Sequence, residues 1–321
     1  MPKTNKFLIH CEEAFYKACS LDVRVLKPGN VSFQSPGHGM HAMQFINSLK
    51  VVTPIIFNRD KTIGEKIEYS IDASFEIAKC NTNLGIVLLC APIIEALILI
   101  TKDFSEHEIY RRNIFDNLQK YIKKILLNTT VNDTSAVFRA IKKANPGGLG
   151  VSDIADVRID PEISLLNAMG AGAQKDFIAK QYCVFFKDIF DQRILKATNS
   201  SVSQSKKILE KVDCKNNLEK FVQKIYFSWL VEHQDTHIVR KYGIKSAQTI
   251  KNEAFSLLLE RNSDQIDSKL KSFNIVLPSE KQLLYWDYSL KKRNINPGTS
   301  ADLTVCTLFL AYVLMPNLKY F

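Results

Sequence analysis

The chain has 321 residues, of which 46% are hydrophobic and 24% are charged, so it can bury a large core and is not intrinsically disordered. Its net charge of +10 at pH 7 and its pI of about 9.1 indicate an anionic partner. No block of five or more like charges occurs, which favours a small phosphorylated molecule over nucleic acid.

Apolar residues recur with helical spacing along the whole chain, whereas strand-like alternation is scarce and no internal repeat appears. The sequence therefore predicts an all-α fold with one large domain spanning 1–321, and it places a flexible polar loop at 196–207. The predicted helices, in chain order, are 7–21, 40–50, 66–80, 84–101, 106–127, 134–143, 174–194, 204–231, 237–260, 279–293 and 300–314.

Four short loops between these helices contain seven of the twelve glycines: 27-KPGN-30, 36-PGHG-39, 145-NPGGLG-150 and 297-PGTS-300. Pro-Gly pairs mark turns, and each loop alone is explained by the need to connect two helices. Glycine also lets a backbone approach a ligand closely, and free N–H groups at helix N-termini bind phosphate. Four such loops together predict one cleft that binds phosphate.

The apolar segment 84–100 is the only one that resembles a membrane span. It is short for a span and contains Pro92 and Glu95, so a buried core helix is the better interpretation, and no membrane association is expected.

The cysteines are seven in number and form no CxxC pair; they are Cys11, Cys19, Cys80, Cys90, Cys183, Cys214 and Cys306. Most lie in apolar helical stretches, where a reduced thiol behaves as a small hydrophobic group. With no recognisable signal peptide, a cytoplasmic location is expected.

Several familiar catalytic motifs are excluded. The stretch 233-HQDTH-237 has the histidine spacing of a zinc-protease helix, but Gln234 stands where the general-base glutamate is needed. Neither a GxGxxG fingerprint nor a P-loop occurs, and the nucleophile elbow of a serine hydrolase is also missing.

Three aspartates follow glycine loops or polar helix starts, namely Asp156, Asp235 and Asp302. An aspartate near a helix start stabilises the helix dipole, which is the simpler explanation of each. The functional interpretation is that these carboxylates hold Mg²⁺, which in turn binds phosphate oxygens. Both interpretations stay open at this point.

Six segments, taken in order, resemble the triphosphoribosyl-dephospho-CoA synthase family, whose members are all-helical. They are 27-KPGNVS-32, 37-GHGM-40, 80-CNTNLGIVLLCAP-92, 145-NPGGLG-150 with 156-DV-157, 235-DTHIVRKYG-243 and 295-INPGTSADL-303. The GHGM segment lacks the aspartate of the family's Gly-Ala-His-x-Asp-Met block, and NTNLG lacks the histidine and lysine of its Asn-Thr-His-Lys-Gly block. The chain is thus similar to a divergent, stand-alone branch associated with tetrahydromethanopterin-type one-carbon metabolism.

The resemblance implies a transferase that moves the triphosphoribosyl group of ATP onto a hydroxyl of dephospho-CoA, with release of adenine and with Mg²⁺ on the triphosphate. It implies catalytic roles for Asp302, Asp235 and His38, with His38 as a donor to the leaving adenine. The implied metal ligands are Asp235, Asp302 and Asp156. The implied substrate-binding residues are Lys27, Gly29, Asn30, Asn81, Thr82, Asn83, Gly147, Gly148, Arg240, Lys241, Gly298, Thr299 and Ser300.

Other interpretations stay open from the sequence. The acceptor could be a pterin or furan cofactor precursor, or the chain could bind nucleotides or CoA without catalysis. A hydrolase that cleaves an N-glycosidic bond with water is a third alternative. Assembly as a homodimer is also left open.

Overall fold

The computed structural model describes residues 5–111, 114–148, 156–191, 195, 215–262 and 275–314. Cys214, the predicted loop 196–207, the first part of the predicted helix 204–231 and the end of the NPGGLG loop lie outside the described residues. Within the described ranges there are helices and no strands, apart from an isolated antiparallel bridge between Gly37 and Met40. The predicted all-α class is therefore confirmed.

The described helices, numbered in chain order, are α1 (Lys6–Arg24), α2 (Ala42–Ile56), α3 (Ile63–Ala78), α4 (Leu84–Asp103), α5 (Glu106–Arg111), α6 (Ile114–Leu127), α7 (Val131–Ala144), α8 (Leu165–Gly172), α9 (Phe177–Cys183), α10 (Lys187–Phe190), α11 (Lys215–Glu232), α12 (Thr236–Asn262), α13 (Glu280–Lys292) and α14 (Gly298–Leu314). Helix α12 is interrupted at Gly243, whose φ of 82° and ψ of 166° are not helical.

Helix α4 is the centre of the main core, and it packs against α1, α3, α6 and α14. It is apolar on all sides, which is the pattern of a helix surrounded by protein. Its length and composition would also allow it to cross a membrane, but 83% of its apolar window is buried inside the protein. Its Glu95 forms an ion pair with the fully buried Lys66 of α3. Removing Glu95 would leave the buried charge of Lys66 alone, at a cost of about 3 to 5 kcal/mol.

A smaller core joins α11, α12 and α13. Trp286 of α13 stacks on Phe227 of α11 with ring centroids 5.9 Å apart. The indole N–H of Trp286 donates to Glu253 of α12 at 2.8 Å. This packing fixes α13 beside the loop at residues 27–30, and α12 carries His237, Arg240 and Lys241 of the site.

The predicted helix 174–194 is wrong, because this segment contains the short helices α9 and α10 instead. Asp176 caps α9 by accepting from the N–H groups of Ile178 and Ala179. Phe185 and Phe186 have φ of 50° and 62°, a left-handed conformation that no α-helix continues through. Phe186 is fully buried, so its burial outweighs the local helical pattern. Helix α8, just before this segment, was not predicted.

Candidate functional site

A cavity of about 610 Å³ opens where several loops and helix ends meet. Eight of the predicted site residues line this cavity: His38, Asn81, Gly147, Gly148, Asp156, Arg240, Lys241 and Asp302. The other nine predicted residues are not part of the wall: Lys27, Gly29, Asn30, Thr82, Asn83, Asp235, Gly298, Thr299 and Ser300. Their hydrogen bonds and packing place them in a layer behind it.

Asp302, in the first turns of α14, faces this cavity. Its carboxylate lies against Gly85 at the start of α4, so closely that a Cβ at position 85 would overlap Oδ2. Glycine at this position therefore allows the N-terminal ends of two core helices to come together. Within the described residues, the Asp302 carboxylate accepts no hydrogen bond.

The pKa of Asp302 is raised well above its ordinary value, first by burial and then by the charges of Asp22 and Asp235. Arg240 acts in the opposite direction but does not outweigh these effects. A carboxyl group in this environment keeps its proton at a higher pH than an exposed aspartate does. The environment therefore favours the protonated form of Asp302, which is the form that can donate a proton.

Asp235 lies behind the cavity and joins two helix starts. Its Oδ2 accepts from the backbone N–H of Ser300 at 2.7 Å and from the Ser300 hydroxyl at 2.9 Å. Its Oδ1 accepts from the N–H of Ile238 at 3.1 Å. The side chain is almost fully buried, and it connects the first turn of α12 to that of α14. Both donors of Ser300 are thus used within the protein, which differs from the phosphate-binding role expected of this serine.

Thr299 and Gly298 complete this junction between α12 and α14. The Thr299 hydroxyl oxygen accepts from the backbone N–H of His237 at 3.1 Å. A Cβ at Gly298 would lie 2.6 Å from Nδ1 of His237. These residues hold His237 in the cavity wall rather than contributing to the wall themselves.

His38 is held by a backbone carbonyl. Its Nε2 lies 2.8 Å from the carbonyl oxygen of Gly29, so this nitrogen carries the hydrogen. Burial lowers the pKa of His38 below its ordinary value of 6.5, and the Gly29 carbonyl opposes this shift. The uncharged ring is therefore favoured, with its lone pair on Nδ1.

The KPGN loop is packed behind His38. Lys27 is fully buried, with Nζ 3.0 Å from the carboxylate of Asp22. Gly29 has φ of 87°, and a Cβ there would lie 2.6 Å from Pro297. The Asn30 amide donates to the side-chain oxygen of Asn296 at 2.6 Å. These contacts dock the KPGN loop onto the loop before α14, and they explain why Lys27, Gly29 and Asn30 support the site from behind.

Thr82 and Asn83 also lie behind the cavity. The Thr82 hydroxyl donates to Ser48 of α2 at 2.9 Å, and Asn83 accepts from Ser74 of α3 at 2.9 Å. Asn81, by contrast, lines the cavity, and its side-chain oxygen accepts from the N–H of Leu84 at 3.1 Å. This loop therefore anchors the start of α4 to two neighbouring helices.

The NPGG loop packs directly on the basic part of α12. A Cβ at Gly147 would overlap the end of the Lys241 side chain, and one at Gly148 would overlap the Arg240 carbonyl. Gly148 has φ of 76°, a conformation that favours glycine. Arg240 forms an ion pair with Asp176, while its buried Nε has no hydrogen-bond partner among the described residues. With the exposed Lys241, this wall of the cavity is positively charged.

The family model for ATP:dephospho-CoA triphosphoribosyl transferases matches residues 10–319. The chain belongs to this family. A crystal structure described as a putative triphosphoribosyl-dephospho-CoA synthase from Archaeoglobus fulgidus has 18% identity and a TM-score of 0.55. The alignment covers 85% of this chain and 99% of that one, and at this identity it shows a shared fold. No curated protein matches the sequence significantly. The family and the transferase class that the motifs predicted are thus confirmed.

The three carboxylates predicted to bind magnesium in this triphosphoribosyl transferase do not meet at one point. Asp235 is saturated by Ser300 and Ile238, and Asp156 is bound by Arg158, with Nε 2.7 Å from Oδ1. No group of three or more His, Cys, Asp or Glu side chains in the described part of the chain is arranged to hold a metal. The described residues therefore do not form the predicted three-carboxylate site. Of the three aspartates, Asp302 alone lines the cavity and accepts no hydrogen bond from the described residues.

The histidine pair 233-HQDTH-237 does not form a shared site either. His233 packs on Phe177, with ring centroids 4.4 Å apart, and on Trp229. His237 lines the cavity, its Nε2 is buried without a hydrogen-bond partner among the described residues, and burial lowers its pKa to about 3. Sequence reasoning assigned no role to His237, although it belongs to the same motif segment as Asp235 and Arg240.

Other wall residues were missed as well. Lys175 and Asp176 precede α9, inside the segment that was predicted to be one continuous helix, so no loop was expected there. The apolar part of the wall includes Leu88, Phe138 and Met169. Such residues have no sequence signal of their own, since they read as ordinary core positions. The cavity therefore combines an apolar part with a basic, polar part.

Proposed function

We propose that the cavity is where this family member transfers the triphosphoribosyl group of ATP to a hydroxyl of dephospho-CoA. The observation that carries the proposal is that Asp302, His38 and Lys241, from three distant motif segments, line one cavity. A basic wall suits the triphosphate, and an apolar wall suits a flat base or an alkyl chain.

The reaction breaks the bond between N9 of adenine and C1 of the ATP ribose, and it forms a bond between C1 and the acceptor oxygen. The acceptor hydroxyl loses a proton and the departing adenine gains one, so atoms and charge balance. Such a transfer passes through a state with oxocarbenium character, and it benefits from one acid and one base at the reacting centre.

The environments of Asp302 and His38 fit the two roles. Burial and neighbouring carboxylates favour the protonated form of Asp302, which supports it as the acid that protonates adenine. Burial favours neutral His38, whose Nδ1 lone pair supports it as the base for the acceptor hydroxyl. This assignment reverses the donor role expected of His38 from the resemblance, because its one N–H is already used on Gly29.

Lys241, Arg240 and Lys175 are the cations of the cavity wall that suit the triphosphate. Arg240 is oriented by its ion pair with Asp176, and Lys241 is exposed at the entrance. We propose that Lys241 binds the outer phosphates, because a flexible ammonium group at the mouth can follow a charged chain.

Magnesium stays a prediction. Its usual binding in nucleotide enzymes uses substrate phosphates, waters and one or two carboxylates, so it does not need the predicted trio. The proton transfers assigned to Asp302 and His38 do not depend on magnesium. Turnover measured with magnesium, and with a chelator in its place, tests whether the ion is required.

The experiment that tests the function is adenine release from ATP and Mg²⁺ by the purified protein, followed by chromatography, with and without dephospho-CoA. Release only in the presence of dephospho-CoA, together with a product mass equal to dephospho-CoA plus triphosphoribose, is expected. Release without an acceptor would indicate hydrolysis, and no release in either case would indicate binding alone. A pterin precursor as acceptor tests the remaining alternative.

A matched pair of lysines tests the basic wall. Lys241→Gln should raise the KM for ATP by about tenfold, which corresponds to about 1.4 kcal/mol, the scale of one charge-assisted contact. Lys245→Gln removes another exposed positive charge from the same helix, at a position outside the cavity wall. It should leave KM unchanged.

A cytoplasmic location, the absence of nucleic-acid and membrane partners, and assembly as a homodimer stay predictions from composition. Cell fractionation, binding assays with DNA and vesicles, and light scattering test them in turn.

A further inference from the structure

We infer that Asp287 of α13 is a positioning residue that holds His38 in its proton-accepting tautomer through the backbone of Gly29. Asp287 is nearly fully buried and lies outside the cavity wall. The inference rests on the proposed role of His38, but its geometry is independent of that role.

The connection consists of two hydrogen bonds in series. Oδ1 of Asp287 accepts from the N–H of Gly29 at 2.8 Å. The carbonyl oxygen of Gly29 accepts from Nε2–H of His38 at 2.8 Å. Gly29 is confined between them, because Pro297 and Leu290 surround its Cα. Its carbonyl direction, and hence the tautomer of His38, therefore depends on the Asp287 contact.

A second set of contacts fixes the other end of the same loop. Oδ2 of Asp287 accepts from the Ser35 hydroxyl at 2.5 Å and from Nζ of Lys291 at 3.0 Å. Lys291 also donates to the Ser35 carbonyl at 2.7 Å. A Cβ at Gly37 would lie 2.9 Å from the Lys291 side chain, so the backbone next to His38 rests on this lysine. One carboxylate thus holds residues 29 and 35, on either side of the turn that leads to His38.

The same arrangement has opposite electrostatic effects on His38. The charged and titratable groups that face it are Asp287 and Lys291 on α13 and Lys241 and His237 on α12. Asp287 favours the imidazolium form, whereas Lys291 and Lys241 oppose it. Removing Asp287 should therefore lower the pKa of His38, and removing the charge of Lys291 should raise it. A purely structural role for both residues would not produce opposite signs.

The test is the ¹⁵N NMR spectrum of the histidine side chains in the full chain, recorded against pH. The protein has six histidines, and the signal that disappears in His38→Gln identifies the ring. The wild type should show neutral His38 with its hydrogen on Nε2. Asp287→Asn should show a mixture of tautomers and a lower pKa, and Lys291→Met a higher pKa.

Glu253→Gln provides the matched control. Glu253 is also a carboxylate bound to α13, through Trp286 and Arg293, but neither group belongs to the cavity wall. Glu253→Gln should therefore leave the His38 signal unchanged. Ser35→Ala removes only one of the Asp287 contacts and keeps the test available if Asp287→Asn folds poorly; it should give a smaller shift in the same direction as Asp287→Asn.

Kinetics separate this inference from the proposed function. Asp287→Asn should lower kcat about tenfold with little change in the KM for ATP. If the tautomers of His38 change in Asp287→Asn while His38→Gln keeps wild-type kcat, the positioning role of Asp287 stands and the base role of His38 fails. Identical His38 spectra in wild type, Asp287→Asn and Ser35→Ala would overturn the inference.

Discussion

Asp302 lies in the first turns of α14, and Asp235, which directly precedes α12, lies against the same end of α14. The surroundings of the two aspartates are opposite. Asp235 accepts three hydrogen bonds from Ser300 and Ile238 and is shielded from the cavity. Asp302 accepts none from the described residues and faces the cavity. A carboxylate whose oxygens are all hydrogen-bonded contributes to the fold, whereas a partly buried carboxyl group without partners is destabilising unless a substrate uses it. The difference indicates which of the two is available for chemistry.

The largest effect is expected for Asp302→Asn. The amide cannot donate the proton that adenine needs, so kcat should fall by about 10²- to 10⁴-fold. The melting temperature should stay equal or rise, because the change removes a carboxyl that Asp22 and Asp235 disfavour in its charged form. Adenine release and thermal unfolding measure both. Activity above a tenth of wild type would contradict the acid role.

Asp235→Ala should show the reverse pattern. The N–H and hydroxyl of Ser300 and the N–H of Ile238 lose their acceptor, which should reduce the free energy of unfolding by about 3 kcal/mol. Denaturant titration measures this loss. Asp235→Asn keeps one acceptor oxygen and should lose less. A drop in kcat per folded molecule as large as that of Asp302→Asn would remove the distinction between the two aspartates.

Gly85→Ala tests the close contact beneath Asp302. The added methyl group overlaps the carboxylate and approaches Ile178 at 2.8 Å, so the free energy of unfolding should fall by about 1 to 3 kcal/mol. Gly170→Ala in α8 is the control, since its Cβ would meet only Cys183 at 3.9 Å. That change should be neutral or slightly stabilising because alanine favours the helix. Equal effects in both variants would show that the contact is not tight.

The pH dependence of activity sharpens the comparison further. Neutral His38 and protonated Asp302 are needed together, so kcat/KM against pH should be bell-shaped. Its acid midpoint should lie below 6.5, since the pKa of His38 is lowered, and its basic midpoint well above 3.8, since the pKa of Asp302 is raised. His38→Gln should remove the acid limb, and an unchanged limb would exclude His38 as the base.

The last prediction concerns stability in acid and does not involve catalysis. His237 has a pKa of about 3 in the folded protein and an ordinary value of 6.5. Between pH 3 and pH 6.5 the unfolded chain binds a proton at this residue that the folded protein does not bind. The contribution of His237 to stability is therefore fully present above pH 6.5 and is lost as the pH falls towards 3. In His237→Asn the slope of the free energy of unfolding against pH should decrease by up to about 1.4 kcal/mol per pH unit in this range. Denaturant titrations at several pH values measure it, and an unchanged slope would contradict the burial of a neutral ring.

Local patterns determined much of the fold. The apolar runs of α4 and α14 were predicted almost to their ends, as 84–101 and 300–314, because Pro-Gly turns and polar segments bound them. The segment 174–194 was not predictable in this way, since the left-handed Phe185 and Phe186 are stabilised by burial against distant helices. Helical periodicity contains no information about that burial.

For the site, the sequence by itself identified the family, the reaction and most of the segments that contribute to the cavity, because each of these segments has a distinctive order of residues. Which members of those segments face the cavity was decided only by the tertiary structure. Asp235 is occupied by Ser300, 65 residues away, and His38 is held through Gly29 by Asp287, on another helix. A polar group is available for substrate only where such partners are absent, and the partners come together only when the helices pack.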